Sequence, residues 1–244
     1  MIKQNRLDDL QVGGLKIYQN DDLYSFTSDA VLLANFDKIK KNAIVVDFGT
    51  GSGVIPILIA HKTDAKKVYG IEIQTVMSNM AKQSVEYNKL QDKIEIINDS
   101  IQNATKYFDN NSVDIVVCNP PYSKMGTCKP NESENIRISR HEVYITLDEI
   151  FASACKILKE KGELRMVHQT WRMGEIIETA GKYGFRLKML RLIQSFDDHP
   201  AHLALFKFGL RAGYGTTVLP TLMMNNPDGT YTDEVRDIYR KEKL

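Results

Sequence analysis

The stretch VVDFGTGSG at residues 45–53 decides the fold, because it joins an apolar run to a loop that contains three glycines. β-Branched residues directly before glycines predict a buried strand that turns tightly into a helix. Such a loop lets a ligand approach the backbone closely, beside the N–H groups at the start of the following helix. We therefore predict a ligand site at the carboxyl end of the first core strand.

The residue types in this loop favour a cationic ligand over a dinucleotide. The glycine spacing is GxGxG rather than GxGxxG, and Asp47 at the strand end would repel a pyrophosphate. S-adenosylmethionine carries a sulfonium and an amino group, so an acidic side chain beside the glycines favours its binding. The predicted contacts of this cofactor in the loop are Asp47, Gly49, Thr50, Gly51 and Gly53.

Strand-like runs alternate with helical patterns over most of the chain, which is typical of a layered α/β fold. Strands are predicted at residues 43–48, 67–73, 93–98, 113–118, 162–168, 185–193 and 202–208, and helices at 54–61, 75–88, 147–158 and 173–183. Residues 195–201 are too few for a crossover helix, so the last two strands are predicted to pair antiparallel. This order resembles the Rossmann-like class I methyltransferases, which implies a seven-stranded, mostly parallel sheet with an antiparallel last strand and helices on both faces.

Two packing predictions follow from local patterns. In the helix at residues 75–88, Val76, Met80, Ser84 and Tyr87 are predicted to share one face. Trp171 is interpreted as a residue of the core or of helix packing.

The composition excludes several classes of protein. With 244 residues, 43% hydrophobic and 26% charged, the chain is neither disordered nor fibrous. We predict an N-terminal attachment at residues 1–42 that packs over the cofactor site, a methyltransferase domain at 43–210 and a C-terminal tail at 211–244. Short apolar runs, unpaired cysteines and an opening without a secretory leader favour a cytoplasmic protein with no membrane span. No metal site is predicted, and the net charge of +1 identifies no partner.

Acidic residues also end the next two strands. Glu72 lies 25 positions after Asp47, where a carboxylate can accept hydrogen bonds from ribose hydroxyls. Asp99 ends the third strand and is predicted, with Ser100 beside it, to contact the adenine of the cofactor, while Ile73 and Ile101 cover the ring. Since parallel strands end at one edge of a sheet, these residues are predicted to form one cofactor site.

The fourth strand delivers Asn119-Pro120-Pro121-Tyr122 to the same edge. Prolines have no N–H, so this segment presents carbonyl acceptors without competing donors. The Asn119 amide oxygen and the Pro120 carbonyl are predicted to accept the two protons of a planar amino group, which frees its lone pair for methylation. Tyr122 is predicted to stack on the ring that carries this amine.

These motifs together resemble the S-adenosylmethionine-dependent amino-methyltransferases with an NPPY or DPPY motif. The segments FTSDAVLLA (26–34), RISRHEVYITLDEI (137–150) and PAHLALFKF (200–208) narrow the resemblance to the bacterial tRNA1(Val) adenine-N6 methyltransferases. The resemblance implies N6-methylation of an adenine beside the anticodon of valine tRNA. It also implies that Thr27 and Asp29 lie over the methionine end of the cofactor, and that the NPPY residues hold the target base. Asn119 is predicted to contact the cofactor as well.

The insert at residues 123–140 is polar and is predicted to form a lid over the substrate. Its bases, Lys124, Lys129, Arg137 and Arg140, are predicted contacts of the tRNA phosphates. The sequence leaves the oligomeric state open.

Other functions stay open at this point. Methylation of a protein glutamine or of a guanine N2 in ribosomal RNA uses the same core and motif. The glutamine enzymes carry a sizeable N-terminal helical domain, and only 42 residues precede the first core strand here. DNA adenine methylation usually needs a separate region that reads base edges. A cofactor-binding module without activity is the non-enzyme alternative.

Overall fold

A mostly parallel sheet with helices on both faces forms the centre of the protein. The computed structural model describes residues 5–20, 28–121 and 145–240. The strands are β1 (Arg6–Asp9), β2 (Lys16–Gln19), β3 (Ile44–Phe48), β4 (Lys67–Ile71), β5 (Ile94–Ile97), β6 (Val113–Cys118), β7 (Leu158–Gln169), β8 (Phe185–Gln194), β9 (Leu203–Leu210), β10 (Thr217–Val218) and β11 (Leu222–Met223). The α-helices are α1 (Ser28–Ala34), α2 (Val54–Lys62), α3 (Thr75–Tyr87), α4 (Leu147–Ile157), α5 (Met173–Lys182) and α6 (Asp233–Arg240). Two 3-10 helices span Ile101–Lys106 and Thr170–Arg172.

The seven long strands lie in the order β5-β4-β3-β6-β7-β9-β8. Strands β3 to β7 pair in parallel, and β9 is antiparallel to both of its neighbours, β7 and β8. The predicted fold class and the antiparallel pairing of the last two long strands are therefore confirmed. Because β8 runs parallel to β7, the carboxyl ends of six of the seven strands face the same edge.

The sequence did not predict two short strands from the last part of the chain. Both β10 and β11 pair in parallel with β8, with Thr217 beside Met189 and Leu222 beside Ile193. They extend the sheet to nine strands. Two residues are too few to show the alternation by which a strand is recognised in sequence.

Alternate residues of the central strands supply two hydrophobic cores. On β3, Val45 points to the core shared with α1, α2 and α3, while Val46 points to the core shared with α4 and α5. Residues on both faces are fully buried, which explains why these strands read as continuous apolar runs. The sheet is thereby fixed between two helical layers.

The predicted face of α3 is confirmed for Met80 and Ser84 and is wrong for Val76 and Tyr87. Val76 and Tyr87 are 48% and 49% exposed, whereas Met80 and Ser84 are buried. The buried face consists of Met77, Ser78, Met80, Ala81, Ser84 and Val85. The hairpin of β1 and β2 covers this face, and the N–H of Tyr18 donates to the Ser84 hydroxyl at 3.0 Å. Ser84, a small polar residue of the predicted face, therefore lies on the core side and accepts a hydrogen bond from the hairpin.

A buried lysine attaches the last helix to the body of the protein. Lys62 is 1% exposed, and its Nζ donates to the Asn35 side-chain oxygen and to the Ile238 carbonyl, both at 2.8 Å. Val235 of α6 is fully buried in the same hydrophobic core. Helix α6 is therefore fixed against the body of the protein, and β10 and β11, which precede it in the chain, belong to the central sheet.

We expect Lys62→Met to lower the free energy of unfolding by about 2 kcal/mol, because two partly buried acceptors lose the charged donor of a buried side chain. Chemical denaturation measures this, with the exposed Lys66→Met as the matched control. Equal stability of the two variants would show that the contact between α6 and Lys62 contributes nothing.

Within the described residues, no helix is long and apolar enough to cross a membrane.

Candidate active site

The glycine loop after β3 folds back over the end of β4. Gly49, Gly51 and Gly53 have φ of 70°, 57° and 91°, a region that favours glycine. The N–H groups of Gly49 and Thr50 donate to the Ile71 carbonyl at 2.9 and 3.0 Å. The predicted loop residues therefore form one tight turn at the carboxyl edge of the sheet.

Gly70 supports this turn and was not among the predicted site residues. A Cβ at Gly70 would lie 2.8 Å from the Thr50 Cγ2. A side chain at this position of β4 would therefore displace the glycine loop. The signal in the sequence was a glycine inside a strand, which often marks a close approach of backbone.

Asp47 is a buried carboxylate at the centre of the site. It is 1% exposed, and among the described residues neither of its oxygens has a hydrogen-bond partner. The pKa of Asp47 is raised to about 8, mainly by burial; the nearby Thr50 hydroxyl opposes this shift and the charge of Glu72 adds to it. Buried polar groups without partners are rare in folded proteins, and a binding or catalytic role is one explanation for them. A ligand with positive charge and N–H donors fits this position, as S-adenosylmethionine does.

Glu72 follows β4 directly and connects the end of this strand to the glycine loop. Its two oxygens accept the N–H groups of Gly51 and Gln74, both at 2.9 Å. Burial raises the pKa of Glu72, and these two backbone donors oppose the shift. Asp47 and Glu72 thus place two desolvated carboxyl groups at one turn, an arrangement that attracts a cation and repels a phosphate.

Asp99 has a different environment. Its oxygens accept from the Asn103 side chain at 2.7 Å, the Tyr107 hydroxyl at 2.8 Å and the Ser100 N–H at 2.7 Å. The Asn103 and Tyr107 hydrogen bonds, in that order, lower its pKa to about 2. Asp99 therefore stays ionised, and these contacts also hold the start of the 3-10 helix at Ile101–Lys106.

The two isoleucines predicted to cover the cofactor ring differ in exposure. Ile73, just after β4, is 47% exposed, whereas Ile101 is buried in the core. The Asn98 side chain donates to the carbonyls of Glu72 and Ile73 at 2.8 and 3.1 Å, and so fixes the backbone beside Ile73. Ile73 therefore presents an exposed apolar side chain directly after Glu72, while Ile101 packs in the hydrophobic core under the sheet.

Asn119 lies directly beside the glycine loop. Phe48 of β3 pairs with Cys118 of β6, so the following residues, Gly49 and Asn119, leave the sheet side by side. Asn119 is partly exposed, Pro120 is buried and Pro121 is exposed. Tyr122 lies outside the described residues, as do Thr27, Lys124, Lys129, Arg137 and Arg140 and the rest of the predicted lid.

Asp29 is in the first turn of α1 and is 7% exposed. Its carboxylate lies close enough to Tyr239 of α6 to contribute to the raised pKa of that phenol, which is about 12 and is caused mainly by burial. The position of Asp29 at the cofactor stays a prediction from the resemblance, and the last helix next to Asp29 is not predictable from the local sequence. Among the described residues, no cluster of His, Cys, Asp and Glu could hold a metal ion.

The interpretation of Trp171 as a packing residue is wrong. It lies in the 3-10 helix after β7 and is 59% exposed. An aromatic residue in an apolar pattern is usually buried. Trp171 instead follows β7 at the carboxyl edge of the sheet, the edge of the candidate site.

The fold and this site define a class I methyltransferase that depends on S-adenosylmethionine. Residues 27–180 match the family described as Methyltransferase small domain, and the chain belongs to this family.

Relatives and solved structures agree with this assignment. The chain is 28% identical over 227 residues to a tRNA1(Val) (adenine(37)-N6)-methyltransferase of Proteus mirabilis, covering 87% of this chain and 86% of the relative. A structure described as a predicted O-methyltransferase from Agrobacterium tumefaciens has a TM-score of 0.69 at 19% identity, covering 86% of this chain and 95% of that chain. TYW2 of M. jannaschii, solved in complex with AdoMet, has a TM-score of 0.54 at 17% identity, covering 85% and 87%. At these identities the solved structures establish the fold.

Proposed function

We propose that the protein methylates the N6 amino group of an adenine in tRNA, namely adenine 37 of valine tRNA. The observation that carries the chemistry is the position of Asn119-Pro120 beside the glycine loop, next to a buried Asp47 that has no hydrogen-bond partner among the residues that the structure describes. The names of the relatives support the choice of adenine and of tRNA. The predicted roles of Thr27, Asp29, Asp99, Ser100 and Tyr122 belong to this proposal.

The acceptor chemistry rests on the residues after β6. An adenine amino group is planar and a weak nucleophile, because its lone pair is delocalised into the ring. The Asn119 amide oxygen and the Pro120 carbonyl accept its two protons and favour the geometry in which the lone pair is available. The cofactor supplies a methyl group on a positively charged sulfur. Catalysis by these residues is then orientation and stabilisation of developing positive charge, without a strong general base.

An adenine in an anticodon loop suits an enzyme of this size. Such a base is already unpaired, so turning it into a pocket costs less than extraction from a duplex. Lysine and arginine contacts with phosphate would make binding sensitive to salt. Lys124, Lys129, Arg137 and Arg140 remain the predicted contacts.

A labelled-methyl assay on purified protein tests the proposal. Total tRNA from cells that lack the gene should accept label, and nucleoside mass spectrometry should find it as N6-methyladenosine. A valine-tRNA stem-loop with adenine 37 should be a substrate, and the same stem-loop with guanosine there should not. Label in protein glutamine or in guanine N2 would contradict the proposal, and cofactor binding without any transfer would favour a module without activity.

A further inference from the structure

Trp171 stands at the edge of the sheet that carries the proposed acceptor residues. Strands β6 and β7 are parallel neighbours, with Cys118 beside Met166, so the residues after both strands leave the same edge. Strand β7 continues for three residues beyond Met166, to Gln169, so Trp171 lies further out from this edge than Asn119 does. The 3-10 helix with Trp171 begins directly after β7, at Thr170.

The Trp171 ring is held in one orientation. Its indole N–H donates to the Gln169 side-chain oxygen at 2.6 Å, and the Arg172 guanidinium lies 5.9 Å from the ring centroid. Arg172 is itself fixed by two hydrogen bonds to Glu175, at 2.8 and 2.6 Å. The ring is therefore preorganised while 59% of the residue stays exposed. Preorganisation lowers the entropy lost on binding.

The segment that carries Trp171 is also anchored to the neighbouring strand. The Thr170 N–H donates to the His202 carbonyl at 3.0 Å, and its hydroxyl donates to the Ala201 carbonyl at 2.8 Å. His168, at the end of β7, is buried, and burial lowers its pKa to about 4, with Arg172 adding to the effect. His168 is therefore uncharged near pH 7, and the hydrogen bonds of Thr170 hold the start of the segment in place.

The surroundings of the ring favour a nucleobase as its partner. In the hot spots of protein–protein interfaces, aromatic residues lie in well-packed pockets from which water is excluded. The neighbours of Trp171 that the structure describes include Gln169 and Arg172, whose polar groups suit the polar edges of a base. Base stacking on an aromatic ring tolerates any sequence because every base has a π-face. The nearby Asp197 and Asp198 are exposed acids, so a phosphate backbone is not the expected contact of this surface.

We propose that Trp171 is a stacking platform for an unpaired RNA base next to the methylated adenine. The proposal rests on the proposed function, which brings an RNA loop to Asn119. Trp171 acts as a positioning residue: by stacking on the adjacent nucleotide, it fixes the loop so that the adenine reaches the residues after β6.

Fluorescence gives a direct test, because Trp171 is the single tryptophan of the chain. Titration of the whole protein with the valine-tRNA anticodon stem-loop should quench its emission at the same concentrations at which the RNA binds in a filter assay. Unchanged emission at saturating RNA would overturn the proposal. Quenching should weaken when the stacked nucleotide is replaced by an abasic unit, and scanning the loop with such units identifies it.

Variants give a second, independent readout. Trp171→Ala should weaken stem-loop binding by about tenfold, while Trp171→Phe restores most of it. The cofactor Kd should not change in either variant. Tyr214→Ala is the matched control, since Tyr214 is 88% exposed, also lies near an arginine (Arg186, 5.1 Å), and is beside the amino end of β8, at the opposite edge. Thermal unfolding confirms that each variant is folded.

A double-mutant cycle separates this inference from the proposed function. The abasic substitution should lower the affinity of the wild type for the stem-loop. It should cause no further loss of affinity in Trp171→Ala. If the wild type methylates the stem-loop and Trp171→Ala has the same KM, the platform is refuted and the methylation stands. If the wild type methylates no RNA, both are refuted.

Discussion

Asn119→Ala is expected to lower the kcat of methyl transfer by about 100-fold, with the Kd for S-adenosylmethionine changed by less than about twofold. Loss of one preorganised electrostatic group typically costs about 100- to 1,000-fold in turnover. Asn119 lies beside Gly49 but on the neighbouring strand, so its side chain can serve the acceptor amine without holding the cofactor.

Two further variants sharpen this experiment. Asn119→Asp keeps an oxygen acceptor and should retain more activity than the alanine variant. Asn110→Ala is the control, because Asn110 is exposed and lies before the amino end of β6. Single-turnover rates and equilibrium dialysis measure the two constants separately. If Asn119→Ala turned over like the wild type, the role of Asn119 would be refuted; a large loss of cofactor affinity would assign it to the cofactor instead.

Asp47→Asn is expected to weaken S-adenosylmethionine binding by about tenfold to 100-fold, the range for a lost hydrogen bond to a charged group. It should also stabilise the cofactor-free protein at alkaline pH. The pKa of Asp47 is raised from 3.8 to about 8 by burial, so the folded protein binds a proton that the unfolded chain releases. The free energy of unfolding therefore falls as the pH rises from about 4 to about 8. Asparagine does not ionise, so the free energy of unfolding of the variant should lack this fall with rising pH.

The test compares melting temperatures of wild type and Asp47→Asn at pH 5 and pH 8 without cofactor. The variant should gain stability relative to the wild type at pH 8, while calorimetry shows weaker cofactor binding. Asp64→Asn, in an exposed position after α2, is the control. A variant that binds cofactor normally would remove Asp47 from the site, and an equal pH dependence would show that its carboxyl is not buried as described.

Local patterns predicted where the parts of the candidate site fall in the sequence, because each part lies on one contiguous segment. Asp47 and the three glycines sit where an apolar run meets a turn, and Glu72, Asp99 and Asn119 each follow such a run. Each residue could be read from its own strand, and the rule that parallel strands end at one edge predicted that they meet. The charge state could not be read in this way: Asp47 has a raised pKa and Asp99 a lowered one, because one is desolvated and the other is surrounded by donors.

The sequence by itself determined the α/β class, the seven long strands, the antiparallel last pair and the segments that carry the site, because strand and helix periodicity are local properties. Only the tertiary structure decided that α3 buries the face with Met77, that the last helix is held by Lys62, and that Trp171 is exposed beside the site. These depend on contacts between residues far apart in the chain, such as Tyr18 with Ser84 and Lys62 with Ile238. No local pattern encodes which surface a distant segment will cover, since that is set by the free energy of the whole packing.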